Sequence, residues 1–235
     1  GFLAAAMTEP APLRIGVIEQ MPGCGKPSRE NKMRLNDTRR LLEELGHVCE
    51  PVKLKYDVEA FNESSIRIWA VTLGYYMEQF AKMTGRPINA RNVEAVTLEV
   101  YRFAKKLKAI DMEWVMSAQN AVSRHVGQIM RTFDVLLTPG LARDVAELGE
   151  LNQNARGVDA PAWWKQMMYD YTPYTPLFNT TGQPAVMLPL WQSKQGLPLA
   201  MQFVGRLGDE ETLYSLAAQL ERAQPWSTRR PPHYA

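Results

Sequence analysis

The stretch Leu13-Arg14-Ile15-Gly16-Val17-Ile18 begins the segment of this sequence that decides the fold. It is short, mostly apolar and rich in β-branched residues, which predicts a buried strand. Ser28 is a suitable N-cap for a helix that we expect to end at Leu45, where Gly46 suits the left-handed position after it. Residues 48–54 predict a second strand. A strand, helix and strand with short joints form a crossover, so we expect both strands to lie parallel in one sheet.

The rest of the chain predicts further helices and strands. In chain order we expect a largely helical region at 58–133 interrupted at 85–87, a strand at 134–139, an irregular stretch at 141–159, a helix carrying Trp163 and Trp164, an antiparallel strand pair at 186–191 and 199–206, and a last helix capped by Asp209. One helical face is expected to comprise Ile110, Trp114, Ala118, Ala121, Val122, His125 and Ile129. The pattern predicts an α/β fold, a mixed β-sheet flanked by helices on both faces, in a single domain over residues 1–235.

Composition excludes several classes of function. The hydrophobic content of 46% can fill a core, and a net charge of +2 without basic runs favours neither nucleic acid nor an anionic membrane as a partner. No apolar run approaches the ~18 residues of a membrane-spanning helix. Two cysteines, Cys24 and Cys49, form no disulfide framework, so we expect reduced thiols and a cytoplasmic protein.

The common catalytic and metal-binding motifs do not occur in this sequence. The pair Ser64-Ser65 lacks the flanking glycines of an exposed nucleophile turn, so we interpret it as helix surface or helix start. Residues 23–26 resemble a phosphate loop only faintly and are interpreted as a turn. No metal-ligand spacing exists and no cofactor is expected, because the three histidines are far apart in sequence: His47, His125 and His233. His125 is expected to be a hydrogen-bonded core residue.

Residues 171–185 are the densest functional candidate. Aromatic rings, hydroxyls and one amide lie on a connection stiffened by proline, which is typical of a pocket wall with a few directed polar groups. Asn179 could orient a backbone or substrate carbonyl through its amide, and Gly182 would permit a left-handed backbone. The alternative is a well-packed connection whose polar side chains only cap it. The residues alone leave both interpretations open.

Several blocks of sequence together resemble a known family. The block Phe178-Asn179-Thr180-Thr181-Gly182-Gln183-Pro184-Ala185 is followed by Leu188-Pro189, Gly196-Leu197-Pro198 and Gln202-Phe203-Val204-Gly205. Other blocks lie in order at residues 12–17, 41–50, 133–139, 209–213, 217–221 and 225–232. In number and order they resemble the amidase signature family, hydrolases of carboxamide C–N bonds. The similarity is greatest to its branch of 6-aminohexanoate-cyclic-dimer hydrolases and related bacterial amidases.

The resemblance implies a fold, a reaction and a set of binding residues. It implies the C-terminal half of the amidase signature fold, and hydrolysis through an acyl-enzyme by a Ser–cis-Ser–Lys triad. That triad belongs to the first half of the family, so no residue here is assigned to it and the chain alone is expected to be inactive. Substrate-binding roles are carried over by resemblance to Tyr171, Thr172, Thr175, Phe178 and Asn179, with Trp69 on the far side of the pocket.

The resemblance also implies partners. They are a small-molecule amide, the missing N-terminal half of the amidase domain and, because homodimers are common in the family, a second copy of the chain. The alternative function is a non-catalytic ligand-binding or interaction domain on the same half-fold. Light scattering and the binding of a hydrophobic fluorophore would separate a fragment from such a stand-alone domain, because a fragment exposes the apolar surface that its other half would cover.

Overall fold

A five-stranded mixed sheet with the strand order β2-β1-β3-β5-β4 organises the computed structural model, which describes residues 1–155 and 157–230. The predicted tail residues Pro231, Pro232 and His233 lie outside the described residues. The elements in chain order are α1 (Phe2–Ala6), β1 (Arg14–Val17), α2 (Arg29–Glu44), β2 (Val48–Pro51), α3 (Val58–Thr84), α4 (Ala95–Ala104), α5 (Ala109–Ile129), β3 (Val135–Pro139), α6 (Ala160–Lys165) with a π-helical extension (Gln166–Tyr171), α7 (Thr175–Thr181), β4 (Ala185–Gln192), β5 (Pro198–Gly205) and α8 (Glu210–Ala223).

The predicted crossover at the start of the chain is confirmed. The Ser28 hydroxyl accepts a hydrogen bond from the Asn31 amide at 3.2 Å and so caps α2, and Gly46 follows the helix with a φ of 92°. Strands β1 and β2 pair in parallel with Arg14 opposite Val48, and β3 is parallel to β1 on its other side. Strand β5 is antiparallel to β4, as predicted, and it is also antiparallel to β3 on its other side.

Helices cover both faces of this sheet, as predicted. Because strand side chains alternate between faces, neighbouring residues of β3 enter different apolar layers. Val135 and Leu137 pack in the layer beneath α2 and α8, whereas Leu136 packs in the layer beneath α5 and α7. A third apolar cluster joins α3, α4 and α6 around two tryptophans of α6. No described helix is both long and apolar enough to cross a membrane.

Two predictions about the helical region were wrong in detail. On α5 the buried residues are Val115, Val122 and Val126, while Ile110 and Trp114 are exposed. The face nearest α3 and α7 is a narrow valine stripe, and Trp114 instead lies against the Arg67 guanidinium, 5.2 Å from the ring centroid. His125 is only half-buried, although its Nε2 does accept a hydrogen bond from the Lys55 amide at 3.2 Å.

The pair Ser64 and Ser65 is helical but lies neither on the surface nor at a helix start. Both side chains are buried in the interior of α3, and both hydroxyls donate to the Phe61 carbonyl at 2.8 and 2.7 Å. This bond back to the preceding turn satisfies each hydroxyl within the helix, so the pair can be buried without another partner. Neither hydroxyl is therefore presented as a nucleophile.

The outer edge of β4 is partly covered by the chain itself. Arg229 donates to the carbonyls of Pro189 and Leu190 at 2.8 and 3.0 Å, and Arg34 donates to the Gln192 carbonyl at 3.3 Å. Pro189 itself has no amide to offer to another strand. These contacts reduce the capacity of this edge to pair with a further strand.

Candidate functional site

Three segments of the chain meet beyond the carboxyl ends of β1 and β3. The loop that follows β3, residues 140–147, receives hydrogen bonds from the Ser28 amide to the Ala142 carbonyl at 2.7 Å and from the Asn31 side-chain amide to the Leu141 carbonyl at 2.8 Å. The Ala142 amide in turn donates to the Tyr171 carbonyl at 3.0 Å. We call this region the carboxyl-end site, since ligands of open α/β sheets commonly bind there.

A cavity of about 430 Å³ opens beside this loop, which is a volume typical of small-molecule sites. Its apolar wall includes Met187 and Leu199, and its rim carries the charged side chains of Asp144 and Glu147. Gly140 lines it where the backbone is crowded, because a Cβ there would lie 2.9 Å from the Ala200 carbonyl oxygen. The cavity can therefore accept an apolar group while polar groups bind at its rim.

Tyr171, a predicted site residue, holds the loop in place. Its hydroxyl oxygen accepts a hydrogen bond from the Ala146 amide at 3.2 Å, and its ring lies 4.9 Å from the Arg143 guanidinium. Arg143 also pairs with Glu150 and thereby lowers the pKa of that carboxyl. Tyr171 thus shapes the cavity through the position of residues 142–146.

Thr172 ends the π-helical extension of α6. Its hydroxyl donates to the Met167 carbonyl at 3.0 Å and lies 3.6 Å from the sulfur of Met168. Single π-helical turns are rare and frequently occur at functional sites. No sequence pattern indicates this turn, because a π-helix has the same apolar pattern as the end of an α-helix.

Buried polar groups that the sequence analysis missed connect α7 to the sheet. Tyr174 is fully buried, and its hydroxyl donates to the Glu19 carbonyl at 3.0 Å. The Gln202 side-chain amide donates to the Tyr174 carbonyl at 3.2 Å and to the Thr138 hydroxyl at 3.1 Å. The available signal was Gln202 itself, a polar residue between Met201 and Phe203 in a strand that is otherwise apolar there.

The predicted connection at 171–185 contains the short helix α7, and the predicted site residues on α7 lie on different sides of this helix. Thr175 and Asn179 are four residues apart and share one side of this helix. Phe178 is buried with Leu177 in the layer beneath α5 and α7. Asn179 is exposed, and within residues 1–155 and 157–230 no protein group bonds to its amide or to the Thr175 hydroxyl. Gly182 ends the helix with a φ of 79°, as predicted.

Trp69 lies in the apolar cluster of α3, α4 and α6. Its ring centroid is 5.3 Å from that of Trp164 at an interplanar angle of 43°. Met167 and Met168 pack against the same cluster and also contact Thr172. The structure therefore links Trp69 to Thr172 through this cluster. The ring contact of Trp69 is with Trp164 of α6 and not with a residue of α7.

Cys24 lies near three tyrosines at the carboxyl end of β1. Burial raises the pKa of the Cys24 thiol to about 11, and the charge of Asp170 raises it further in the same direction. Burial likewise raises the pKa of Tyr169 to about 12 and those of Tyr56 and Tyr174 above their usual range. The thiol is therefore protonated at neutral pH and is a poor nucleophile. Cys24 and Cys49 are both free, and residues 21–24 form a turn.

We expect the free energy of unfolding to fall between about pH 9 and pH 11. Burial also raises the pKa of Cys49 to about 11, with Glu43 adding to the effect and Arg39 opposing it. Since the ordinary thiol pKa is 9.0, the folded chain holds more protons than the unfolded chain in this window, so stability is fully present below it and is lost as pH rises.

Urea titrations at successive pH values would measure this loss. The matched control is the double variant Cys24→Ala, Cys49→Ala, in which the slope of stability against pH should be shallower. A stability that is constant up to pH 11 would contradict the prediction.

The described residues show no assembled nucleophile or metal centre. Among residues 1–155 and 157–230, no serine hydroxyl hydrogen bonds to a lysine or to another serine side chain. The same residues contain no group of three or more His, Cys, Asp or Glu side chains that could hold a metal ion. The arrangement can bind and orient a small polar ligand.

Comparisons with known proteins identify the family of this chain. Residues 2–214 match the family model described as Amidase. The chain is 30% identical to "Putative amidase AmiB2" of Mycobacterium tuberculosis (strain ATCC 25618 / H37Rv), covering 98% of this chain and 47% of that protein. It is 28% identical to "6-aminohexanoate-cyclic-dimer hydrolase" of Pseudomonas sp. (strain NK87), covering 94% of this chain and 46% of that protein.

A solved structure of 6-aminohexanoate cyclic dimer hydrolase superimposes with a TM-score of 0.87 at 26% identity. The match covers 98% of this chain and 49% of that one. It confirms the predicted α/β fold and its likeness to amidase signature structures. The chain spans about half the length of the curated relatives it matches.

Proposed function

This chain belongs to the amidase signature family, and we propose that it forms the C-terminal part of an amidase domain that hydrolyses a carboxamide C–N bond. The observation that carries the proposal is the family match over residues 2–214. On this proposal residues 1–235 are one portion of a single domain. The portion binds substrate, and the remaining half of the domain supplies the nucleophile.

The carboxyl-end site would form one wall of the amide pocket. Thr175 and Asn179 lie four residues apart on the same side of α7, and a side-chain amide can both donate to a carbonyl and accept from an N–H. These are the two hydrogen-bonding groups that a carboxamide offers. Phe178 and Trp69 would add apolar walls, while Thr172 and Tyr171 hold the adjoining turn and loop.

The proposed partners follow from assigning substrate binding to this chain and the nucleophile to the other half of the domain. We propose a small-molecule amide as substrate and an N-terminal amidase half, carrying the Ser–cis-Ser–Lys triad implied by the family resemblance, as the partner chain or segment. We propose that the reaction needs no cofactor and that the protein is cytoplasmic with reduced thiols. The 235 residues alone are proposed to be inactive, because their described serines are not paired with a lysine.

Labelling with a serine-reactive fluorophosphonate tests the proposal. The folded chain is treated alone and after mixing with a separately produced N-terminal half of the Pseudomonas hydrolase, and intact mass and hydrolysis of an aryl amide are recorded. We expect neither adduct nor hydrolysis with the chain alone, and both after mixing, with the adduct on the added half. A stoichiometric adduct on this chain would contradict the proposal. Binding of an amide without hydrolysis after mixing would favour the non-catalytic domain instead.

A further inference from the structure

The cavity of the carboxyl-end site has a hydrogen-bond acceptor in its buried part. Asn31 lines the cavity, although this residue is only 3% exposed. Its Nδ2 donates to the Leu141 carbonyl at 2.8 Å, and within residues 1–155 and 157–230 no protein group donates to its Oδ1. Buried amide oxygens normally accept at least one hydrogen bond, so the Asn31 oxygen is available to a donor that enters the cavity.

Two carboxylates give the rim of the same cavity a negative charge. Asp144 and Glu147 both line it, and neither carboxylate forms an ion pair or a hydrogen bond with another described residue. Arg143 also lines the cavity, but its guanidinium pairs with Glu150 and lies against the Tyr171 ring. Because Arg143 is already paired, the two rim carboxylates are not neutralised and favour a cationic group.

Apolar side chains form the remaining walls of the cavity. Val145, Met187 and Leu197 line it and are exposed, while Leu199 forms a buried part of the wall. A bare metal ion would gain nothing from these walls, and no group of three or more metal-ligand side chains occurs in the described part of the chain. An aliphatic chain buries apolar surface against such walls, so the cavity fits an aliphatic chain that ends in a charged donor.

We propose that this cavity binds a ligand whose aliphatic chain ends in a primary ammonium group. The aliphatic chain packs against Met187 and Leu199. The ammonium group has three N–H donors, and it donates to the Asn31 amide oxygen and to the carboxylates of Asp144 and Glu147. For the proposed amidase, the substrates are then amides that carry such an amino group. That assignment of substrate rests on the proposed function, whereas the binding of an alkylammonium ion by this chain does not.

Titration of the chain with hexylammonium, hexanol and hexanoate tests the proposal, because these probes share one aliphatic chain and differ in the charge at its end. Calorimetry at low ionic strength measures the dissociation constants, and the side-chain amide signal in NMR spectra reports on Asn31. We expect hexylammonium to bind about five- to tenfold more tightly than hexanol, since exposed carboxylates attract a cation only modestly in water. Hexanoate should bind more weakly than both. Added salt should reduce the preference, and hexylammonium should shift the Asn31 amide signal.

A double variant separates the rim charges from the apolar walls. Asp144→Asn with Glu147→Gln keeps the size of both side chains and removes their charge, so the preference for hexylammonium should disappear while hexanol binding stays unchanged. Glu113→Gln with Glu221→Gln is the matched control, because it changes the net charge equally at exposed positions of α5 and α8 outside the cavity. The control should keep the preference. Circular dichroism verifies that both double variants fold.

Four results would overturn the proposal. They are equal binding of hexylammonium and hexanol, no binding of any probe, an equal loss in both double variants, and an Asn31 amide signal that hexylammonium does not shift. Loss of hexylammonium binding when an N-terminal amidase half is added would also overturn it, because that half would then occupy the cavity.

Failure of the proposed function would give a different result. Hexylammonium would still bind to this chain, while mixing with the N-terminal half would produce no hydrolysis of an aryl amide. Conversely, hydrolysis after mixing without any binding of hexylammonium would contradict the alkylammonium site and leave the proposed amidase function in place.

Discussion

Tyr174→Ala is expected to lower the free energy of unfolding by about 3–5 kcal/mol, the cost of truncating a large buried aromatic side chain. Tyr174 is fully buried in the apolar layer that includes Ile18, Leu177 and Phe178. Its loss would leave a cavity where α7 meets the sheet. Because Tyr174 directly precedes α7, the same change should displace the side of the helix that carries Thr175 and Asn179.

The conservative variant Tyr174→Phe separates the ring from the hydroxyl. It removes only the hydrogen bond to the Glu19 carbonyl and should cost about 1 kcal/mol. Tyr214→Ala is a matched tyrosine control on α8, where the side chain is 44% exposed and stacks on Phe2, so we expect a much smaller loss. Chemical denaturation of the three variants measures these differences. If Tyr174→Ala cost no more than Tyr214→Ala, the layer beneath α7 would not be packed as described.

Local patterns were sufficient to predict most of the sheet. A β-branched run such as residues 13–18 or a capped helix such as α2 can be recognised from a short stretch of sequence. Their order along the chain then predicts a parallel strand pair. The α5 prediction failed because its side-chain pattern permits two faces. Tertiary packing against α3 and α7 selected the valine stripe, and a cation–π contact accommodated Trp114 outside it.

The candidate site was harder to predict than the fold. Prolines in residues 171–176 indicate a connection, yet Pro176 lies in the first turn of α7. Proline is tolerated there because backbone N–H groups of the first turn have no partner within the helix, so the missing N–H costs no hydrogen bond. The contacts of Tyr174 with Glu19 and Gln202 join residues 155 and 28 positions apart. Such separations leave no periodic trace in a sequence. The substrate-binding roles of residues 171–179 and Trp69 remain predictions.

Asn179→Ala is the variant that tests those roles most directly. If the proposed amidase is reassembled by adding an N-terminal half, we expect kcat/KM to fall about 5- to 150-fold, because a polar group of the bound substrate that loses its hydrogen-bond partner costs about 1–3 kcal/mol. The melting temperature should not change, because Asn179 is exposed and its amide has no partner within the described residues. A lower kcat/KM with an unchanged melting temperature is expected if the Asn179 amide faces the substrate, and it is not expected if the amide only stabilises the structure.

Two controls make the Asn179 result specific. Asn120→Ala removes another exposed asparagine amide, on α5, and should alter neither kcat/KM nor the melting temperature. Thr175→Val removes the second polar group on the same side of α7 while keeping the shape of the side chain, and it should lower kcat/KM in the same direction as Asn179→Ala. A loss of about 1–3 kcal/mol in stability for Asn179→Ala would instead identify a structural clamp. Unchanged kinetics and unchanged stability would remove Asn179 from the pocket, because a side chain that contacts the substrate cannot be deleted without a change in transition-state binding.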